Sequence, residues 1–210
     1  MKNYTDLTLI IDRSGSMNRI AKDMEGGFAT FLKQEKASGD ETKISINYFD
    51  DFIEKDVVTA DIKDIDGIRI VPRGSTALLD AVGKTIVETG ERLAAMAEED
   101  RPNRVLIYII TDGQENASRE YTLDQIREKI THQREHYAWD FVFLGANIDS
   151  FAVGGGMGIV GAATANFDAS SAGVACMWAA NSKGYDSYKK LDRTVDRKST
   201  YAVDAVDQKA

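Results

Sequence analysis

The chain has 210 residues, of which 43% are hydrophobic and 29% charged, an ordinary composition for a globular protein. The 26 Lys and Arg against 34 Asp and Glu give a formal net charge of −8. Because basic side chains supply non-specific affinity for phosphates, this balance argues against a nucleic-acid partner.

The cysteine content and the first residues bear on the compartment. Cys176 is the single cysteine, and its apolar neighbours predict a small buried side chain and not a nucleophile. Residues 1–6 lack the pattern of a secretory signal, and no apolar run approaches the roughly 20 residues of a membrane helix. We therefore expect a cytoplasmic protein with no membrane partner.

The first part of the chain predicts strands and one helix. Residues 7–11 are a short apolar run typical of a buried strand, and apolar residues at helical spacing predict a helix over about 18–36. Alternation over 43–49 predicts a second strand. Residues 50–51 then predict a turn, after which 52–59 pairs back as an antiparallel edge strand.

The rest of the chain continues the alternation of strands and helices. Residues 105–110 are its most apolar run and predict a central strand that is covered on both faces. The other predicted elements are a long helix from Thr76, a helix over 123–136, a strand over 139–144, a glycine-rich loop over 154–161, a strand over 163–167 and a helix over 170–190.

This order of elements predicts the fold class. Strands that alternate with helices indicate an α/β, Rossmann-like, doubly wound fold. We expect a mostly parallel central sheet with one antiparallel edge strand and helices on both faces. One domain should span residues 1–210, with a core over about 6–190. Residues 191–210 are polar and poorly periodic, which is typical of a fraying tail.

Polar side chains gather where predicted strands end. Asp12, Ser14 and Ser16 follow the first strand, Asp112 follows the central strand, and Thr76 opens a helix after a Gly-Ser turn. Ligand sites of open α/β sheets lie at the carboxyl ends of strands, so these oxygens can converge. Such oxygens suit Mg²⁺, and the lack of His and Cys argues against Zn²⁺. Taken separately, each group also has a local explanation, as a helix cap or a turn.

These segments resemble a known site. Residues 12–16 (DRSGS), 74–76 (GST) and 111–113 (TDG) are similar to the three parts of the metal-ion-dependent adhesion site of von Willebrand factor A-type (VWA) domains. The resemblance spans residues 6–167 in element order. It implies a divalent cation, Mg²⁺ first with Mn²⁺ or Ca²⁺ as alternatives. The implied ligands, some of them acting through water, are Asp12, Ser14, Ser16, Thr76 and Asp112.

The resemblance also implies a function. Family members typically bind proteins, and an Asp or Glu of the partner often completes the metal shell. Some members switch between open and closed states by moving the last helix. The stretch after residue 144 resembles bacterial and phage members. We therefore expect a metal-dependent protein-binding module and not an enzyme.

Two other functions stay open. One is a Mg²⁺-dependent phosphohydrolase or nuclease, with Asp12 as nucleophile or ligand and Arg13 and Arg73 as the phosphate clamp. The other is a subunit of a larger assembly, in which the metal only stabilises the fold. In the binding module, Arg13 and Arg73 would instead hold the partner's anion. The hydroxyl-rich ligand set without an evident base favours the binding module.

The residues around the site have two interpretations, one functional and one purely structural. Asp80 either supports a metal ligand or balances a helix dipole. The rim residues either choose the partner or are solvated loop residues; they are Arg13, Met17, Asn18, Arg73, Gln114, Glu115 and Asn116.

Two further motifs carry little functional weight. Residues 156–161 match G-x-G-x-x-G, but they neither directly follow a strand nor open a helix, as a dinucleotide site requires. His132 and His136 are four residues apart without a third metal ligand, which is typical of a solvated helix end.

Overall fold

The computed structural model describes residues 1–191 and 201–202, and its described part contains one six-stranded sheet. The strands are β1 (Lys2–Asp12), β2 (Thr42–Phe49), β3 (Ile53–Asp61), β4 (Pro102–Thr111), β5 (Asp140–Ala146) and β6 (Thr164–Phe167). They lie in the order β3-β2-β1-β4-β5-β6. Only β2 and β3 pair antiparallel, which confirms the predicted mostly parallel sheet with an antiparallel edge strand.

Helices cover both faces of this sheet. They are α1 (Ala21–Ser38), α2 (Leu78–Ala94), α3 (Leu123–Tyr137), α4 (Ser150–Gly156) and α5 (Ser171–Lys189). Parallel crossovers are right-handed, and α1 and α3 lead to neighbours on opposite sides of the β1–β4 pair, so they cover opposite faces. Accordingly α1 packs against α5, and α2 packs against α3. Among the described residues, no helix combines the length and apolarity needed to cross a membrane.

The two central strands explain why the sheet is buried on both sides. β1 is buried from Tyr4 to Asp12, and β4 is buried from Val105 to Thr111. Side chains alternate between the two faces of a strand, so a continuous apolar run needs cover on both. The most apolar run of the sequence is therefore central, as predicted.

Two local predictions are wrong. Residues 154–156 end α4 instead of forming a loop, because Asp149 caps this short helix by accepting the backbone N–H of Ala152 at 3.0 Å. Cys176 is exposed and not buried. The buried positions Val174, Met177 and Trp178 form one stripe of α5, and position 176 falls on the opposite side.

The predicted fraying of residues 191–210 mostly lies outside the described residues, but Tyr201 is described and buried. Its hydroxyl accepts a hydrogen bond from Tyr108 of β4 at 3.0 Å and donates to Asn181 of α5 at 3.2 Å. Its backbone N–H donates to Asp140 at 3.2 Å, and its ring packs 5.7 Å from that of Tyr188. Tyr201 thus fastens α5 to the sheet.

This contact yields a stability prediction. Tyr201→Phe leaves the buried hydroxyl of Tyr108 without its acceptor, so the free energy of unfolding should fall by about 1–3 kcal/mol. Tyr137→Phe is the control, since Tyr137 is 61% exposed and its loss should cost no more than about 0.5 kcal/mol. Urea unfolding followed by circular dichroism measures both, and equal effects would contradict the assigned role of Tyr201.

Candidate metal centre

The pairing of β1 with β4 sets the position of the two candidate carboxylates. Asp12 is the last residue of β1, and Asp112 directly follows β4. The strands are parallel neighbours, with Ile11 opposite Ile110. Both carboxylates therefore lie at the same edge of the sheet, the carboxyl edge, as the sequence predicted.

Hydrogen bonds connect the two carboxylates through the serines. The Ser16 hydroxyl donates to Asp112 Oδ1 at 2.6 Å and lies 3.0 Å from the Ser14 hydroxyl. The backbone N–H of Ser14 donates to Asp12 Oδ1 at 2.6 Å. The turn after β1 therefore folds back on its own aspartate and reaches across to the end of β4.

Thr76 reaches the same point from the loop before α2. A Cβ added to Gly113 would lie 3.0 Å from Thr76 Oγ1, 3.6 Å from Ser16 Oγ and 3.7 Å from Asp12 Oδ2. Three oxygens from three separate segments thus surround one small space, which glycine leaves open. The structure brings together all five predicted site residues.

The electrostatics of this cluster suit a cation. Burial raises the pKa of Asp12 to about 6, and burial also raises the pKa of Asp112. Within residues 1–191 and 201–202, no Lys or Arg forms a salt bridge with either carboxylate. In that part of the chain, no group of three or more His, Cys, Asp or Glu side chains is placed to hold a metal ion. A cation here would be coordinated by two carboxylates and neutral hydroxyls, a donor set that fits a hard divalent ion.

The arrangement has known structural relatives, although no protein-family model and no curated protein matches the sequence. Proximal thread matrix protein 1 of the mussel byssus, solved with a zinc-occupied MIDAS motif, is 16% identical with a TM-score of 0.63, over 86% of this chain and 45% of that one. A von Willebrand factor type A protein from Catenulispora acidiphila is 13% identical with a TM-score of 0.55, over 86% and 42%. Manganese-loaded TRAP of Plasmodium vivax is 15% identical with a TM-score of 0.55, over 80% and 70%.

This chain has a VWA fold. It spans less than half the length of the mussel and Catenulispora chains that it matches.

Within the VWA fold, two residues that the sequence did not single out as supports hold candidate ligands in place. The Thr111 hydroxyl donates to Asp12 Oδ2 at 2.5 Å. Asn116 clamps the backbone of Thr76, since its side-chain oxygen accepts the Thr76 N–H at 2.9 Å and its own N–H donates to the Thr76 carbonyl at 3.1 Å. Thr111 could have been identified from the sequence, because it lies next to Asp112 in the TDG motif. No local sequence pattern predicts the contact of Asn116 with Thr76.

Two acidic residues fold the loop after Gly113 onto the start of α2. The Glu115 carboxylate accepts the backbone N–H of Leu79 at 2.9 Å and also that of Ser118 at 2.7 Å. The Asp80 carboxylate accepts three backbone N–H groups, from residues 119 to 121, at 2.8–2.9 Å. Asp80 is therefore a loop anchor, a role that neither sequence interpretation included.

The arginines expected on the rim are already paired. The Arg13 and Arg73 Nε atoms lie 2.9 and 2.7 Å from Asp50 Oδ2, and both guanidinium groups also contact Glu54. Burial acts to raise the pKa of Asp50, but hydrogen bonds from Arg73, the Phe52 N–H and Arg13 outweigh it and lower the pKa below its ordinary value. These contacts differ from the expectation that both arginines are free to hold an anion.

The other rim residues differ in their exposure to solvent. Met17 is buried in the core instead of lining the rim. Asn18 and Gln114 are exposed, as expected of rim residues.

We predict that this ion-pair cluster stabilises the fold. Asp50→Ala leaves the buried Arg13 with only Glu54, so the free energy of unfolding at neutral pH should fall by about 3 kcal/mol. The adjacent, exposed Asp51 is the matched control, and Asp51→Ala should cost no more than about 0.5 kcal/mol.

The same variant has a defined pH dependence. Because the folded-state pKa of Asp50 is lowered, its stabilisation is present above the ordinary value of 3.8 and is lost as the pH falls through the folded-state pKa. The stability difference between the native chain and Asp50→Ala should therefore shrink in acid. Denaturant titrations between neutral and acidic pH measure it, and a constant difference would contradict this account.

Proposed function

We propose that this VWA-fold chain is a protein-binding module in which a divalent cation, Mg²⁺ by preference, bridges to an acidic group on a partner protein. The observation that carries the proposal is the convergence of two carboxylates and three hydroxyls at one edge of the sheet, where the carboxylates form no salt bridge within residues 1–191 and 201–202. The residues proposed to hold the cation are Asp12, Ser14, Ser16, Thr76 and Asp112.

The ligand set of the site is compatible with an external anion as the final ligand. Two carboxylates balance the two positive charges of the ion, and the hydroxyls add none. When bound, the cation supplies a Lewis-acidic point for a carboxylate from outside. Asp12, Ser14 and Thr76 are buried and Ser16 is exposed, so a partner would approach from the side of Ser16.

The metals of two structural neighbours support a divalent ion without selecting one. The mussel protein has zinc in its MIDAS motif, and the Plasmodium protein is loaded with manganese. The lack of His and Cys is therefore a weak argument against zinc here. We propose Mg²⁺ because hydroxyl and carboxylate oxygens are its preferred ligands.

The contacts of the arginines favour a binding module over a phosphohydrolase or nuclease. Arg13 and Arg73 were the clamp candidates for phosphate, and both are engaged by Asp50 and Glu54. The two histidines lie toward the end of α3, which starts at the carboxyl edge and runs away from the site. Because neither histidine lies where it could act as a base at the site, the binding module is the function that this geometry supports best.

A metal titration tests the proposed site. Thermal melts of metal-free protein with Mg²⁺, Mn²⁺, Ca²⁺ or Zn²⁺ should show stabilisation, roughly 2.7 kcal/mol at a hundredfold excess over the dissociation constant. Asp12→Asn should abolish the response. It should nevertheless leave the metal-free protein at least as stable as the native chain, because it removes a buried charge that forms no salt bridge with any described residue.

The control variant is Asp51→Asn, an exposed carboxylate at the same edge of the sheet, which should respond to metal like the native chain. A missing response to all four ions, or a response that Asp12→Asn retains, would overturn the proposed site. Asp12→Asn protein that is unfolded without metal would instead indicate a structural role for Asp12.

A further inference from the structure

The rim of the proposed site carries an exposed arginine that forms no salt bridge in the described residues. Arg19 ends the 3-10 turn Gly15–Arg19 and is exposed. No ion pair in residues 1–191 or 201–202 includes it. In this respect Arg19 differs from Arg13 and Arg73, whose charges are balanced by acidic side chains.

The 3-10 geometry directs Arg19 toward the site. Side chains three residues apart eclipse one another in a 3-10 helix, so Arg19 stands on the same face as Ser16. Ser16 in turn donates to Asp112 at 2.6 Å. Burial raises the pKa of Asp112, and the nearby Arg19 charge acts in the opposite direction. Met17 lies off that face and is buried in the core.

An exposed aromatic ring lies on the other flank of the site. Phe52 is 77% exposed at the turn between β2 and β3, and β2 is the neighbour of β1. The turn is held, because Asp50 and Phe52 exchange two hydrogen bonds of 3.0 Å. The Asp50 carbonyl also accepts the N–H of Ala77, the residue after Thr76, at 2.9 Å. Phe52 is therefore fixed relative to the loops of the site while its ring faces solvent.

We infer that Arg19 and Phe52 select the partner, and that the partner is a protein segment with an acidic side chain next to an apolar one. This inference rests on the proposed function. The two site carboxylates balance a divalent cation, and Arg19, exposed on the face of Ser16, places a basic group beside them that an acidic side chain can meet. The acidic side chain then meets the cation and Arg19, and the apolar side chain covers Phe52.

A peptide selection tests this assignment on the full chain. Short random peptides displayed on phage are panned against the chain in Mg²⁺ and, in parallel, in chelator. We expect the Mg²⁺-dependent clones to carry Asp or Glu beside a large apolar residue. A synthetic peptide from such a clone is then titrated against Arg19→Gln and Phe52→Ser, with Arg119→Gln and Phe151→Ser as controls.

Each control variant changes the same type of residue as its test variant, at the same edge of the sheet. Arg119 is an exposed arginine in the loop that follows Asp112, and Phe151 is 53% exposed at the start of α4, at the same edge of the sheet. Each test variant should lower the affinity for the peptide about tenfold, and each control should change that affinity by less than about twofold. The Mg²⁺-induced rise in melting temperature should persist in Arg19→Gln and Phe52→Ser, because neither residue is a proposed metal ligand.

The outcomes separate the two proposals. Peptides that need Mg²⁺ and Asp12, but bind Arg19→Gln and Phe52→Ser like the native chain, would overturn the roles of Arg19 and Phe52 and leave the binding module intact. Peptides that bind equally in chelator, or the absence of any enriched peptide, would overturn the binding module and this inference with it. Loss of the Mg²⁺ response in Arg19→Gln would count against its assignment to the partner.

Discussion

The parallel pairing of β1 and β4 brings two carboxylates together at the carboxyl edge of the sheet, and the rest of the site is arranged around their charge. Asp12 is buried, Asp112 is partly buried, and neither forms a salt bridge in the described part of the chain. Such groups are costly without a counter-charge. Hydrogen bonds from Thr111, Ser14 and Ser16 offset part of that cost, and a cation would offset more. The pairing of β1 with β4 therefore buries both strands and also brings together the two carboxylates at their ends.

The loops that carry the candidate ligands are fastened to one another and not only to their strands. The N–H of Gly15 donates to the Gly74 carbonyl at 3.2 Å, and the N–H of Arg73 donates to the Arg13 carbonyl at 2.8 Å. Asp50 joins both arginines from the β2–β3 turn. The arginines closest to the candidate ligands are therefore part of the scaffold. Arg19 lies outside that network, and this is why we assign recognition of the partner's acidic group to it.

The sequence allowed prediction of what is local or periodic. The apolar run at 105–110 predicted a central strand, and the polar residues at the strand ends predicted a site that the structure brings together. The partners of Arg13 could not be predicted, because Asp50 and Glu54 lie 37 and 41 residues away and no pattern connects them. Tyr201 was missed for the same reason: its contacts with Tyr108 and Asn181 lie 93 and 20 residues away, inside a stretch without periodicity. Contacts that arise only from tertiary packing leave no local signal.

The two ends of the sheet serve different purposes, and this bears on the idea that a metal here would only stabilise the fold. Near the amino edge, Asp140 at the start of β5 accepts hydrogen bonds from Tyr201 and Tyr188, so its buried carboxylate has polar partners within the chain. At the carboxyl edge, Ser16 is exposed, and the basic residues are either paired elsewhere or, like Arg19, open to solvent. Asp12 is as deeply buried as Asp140 and also accepts hydrogen bonds within the chain, so the two edges differ in the exposure of Ser16 and Arg19. That exposure gives a group from another protein access to the site, as the proposed binding module requires.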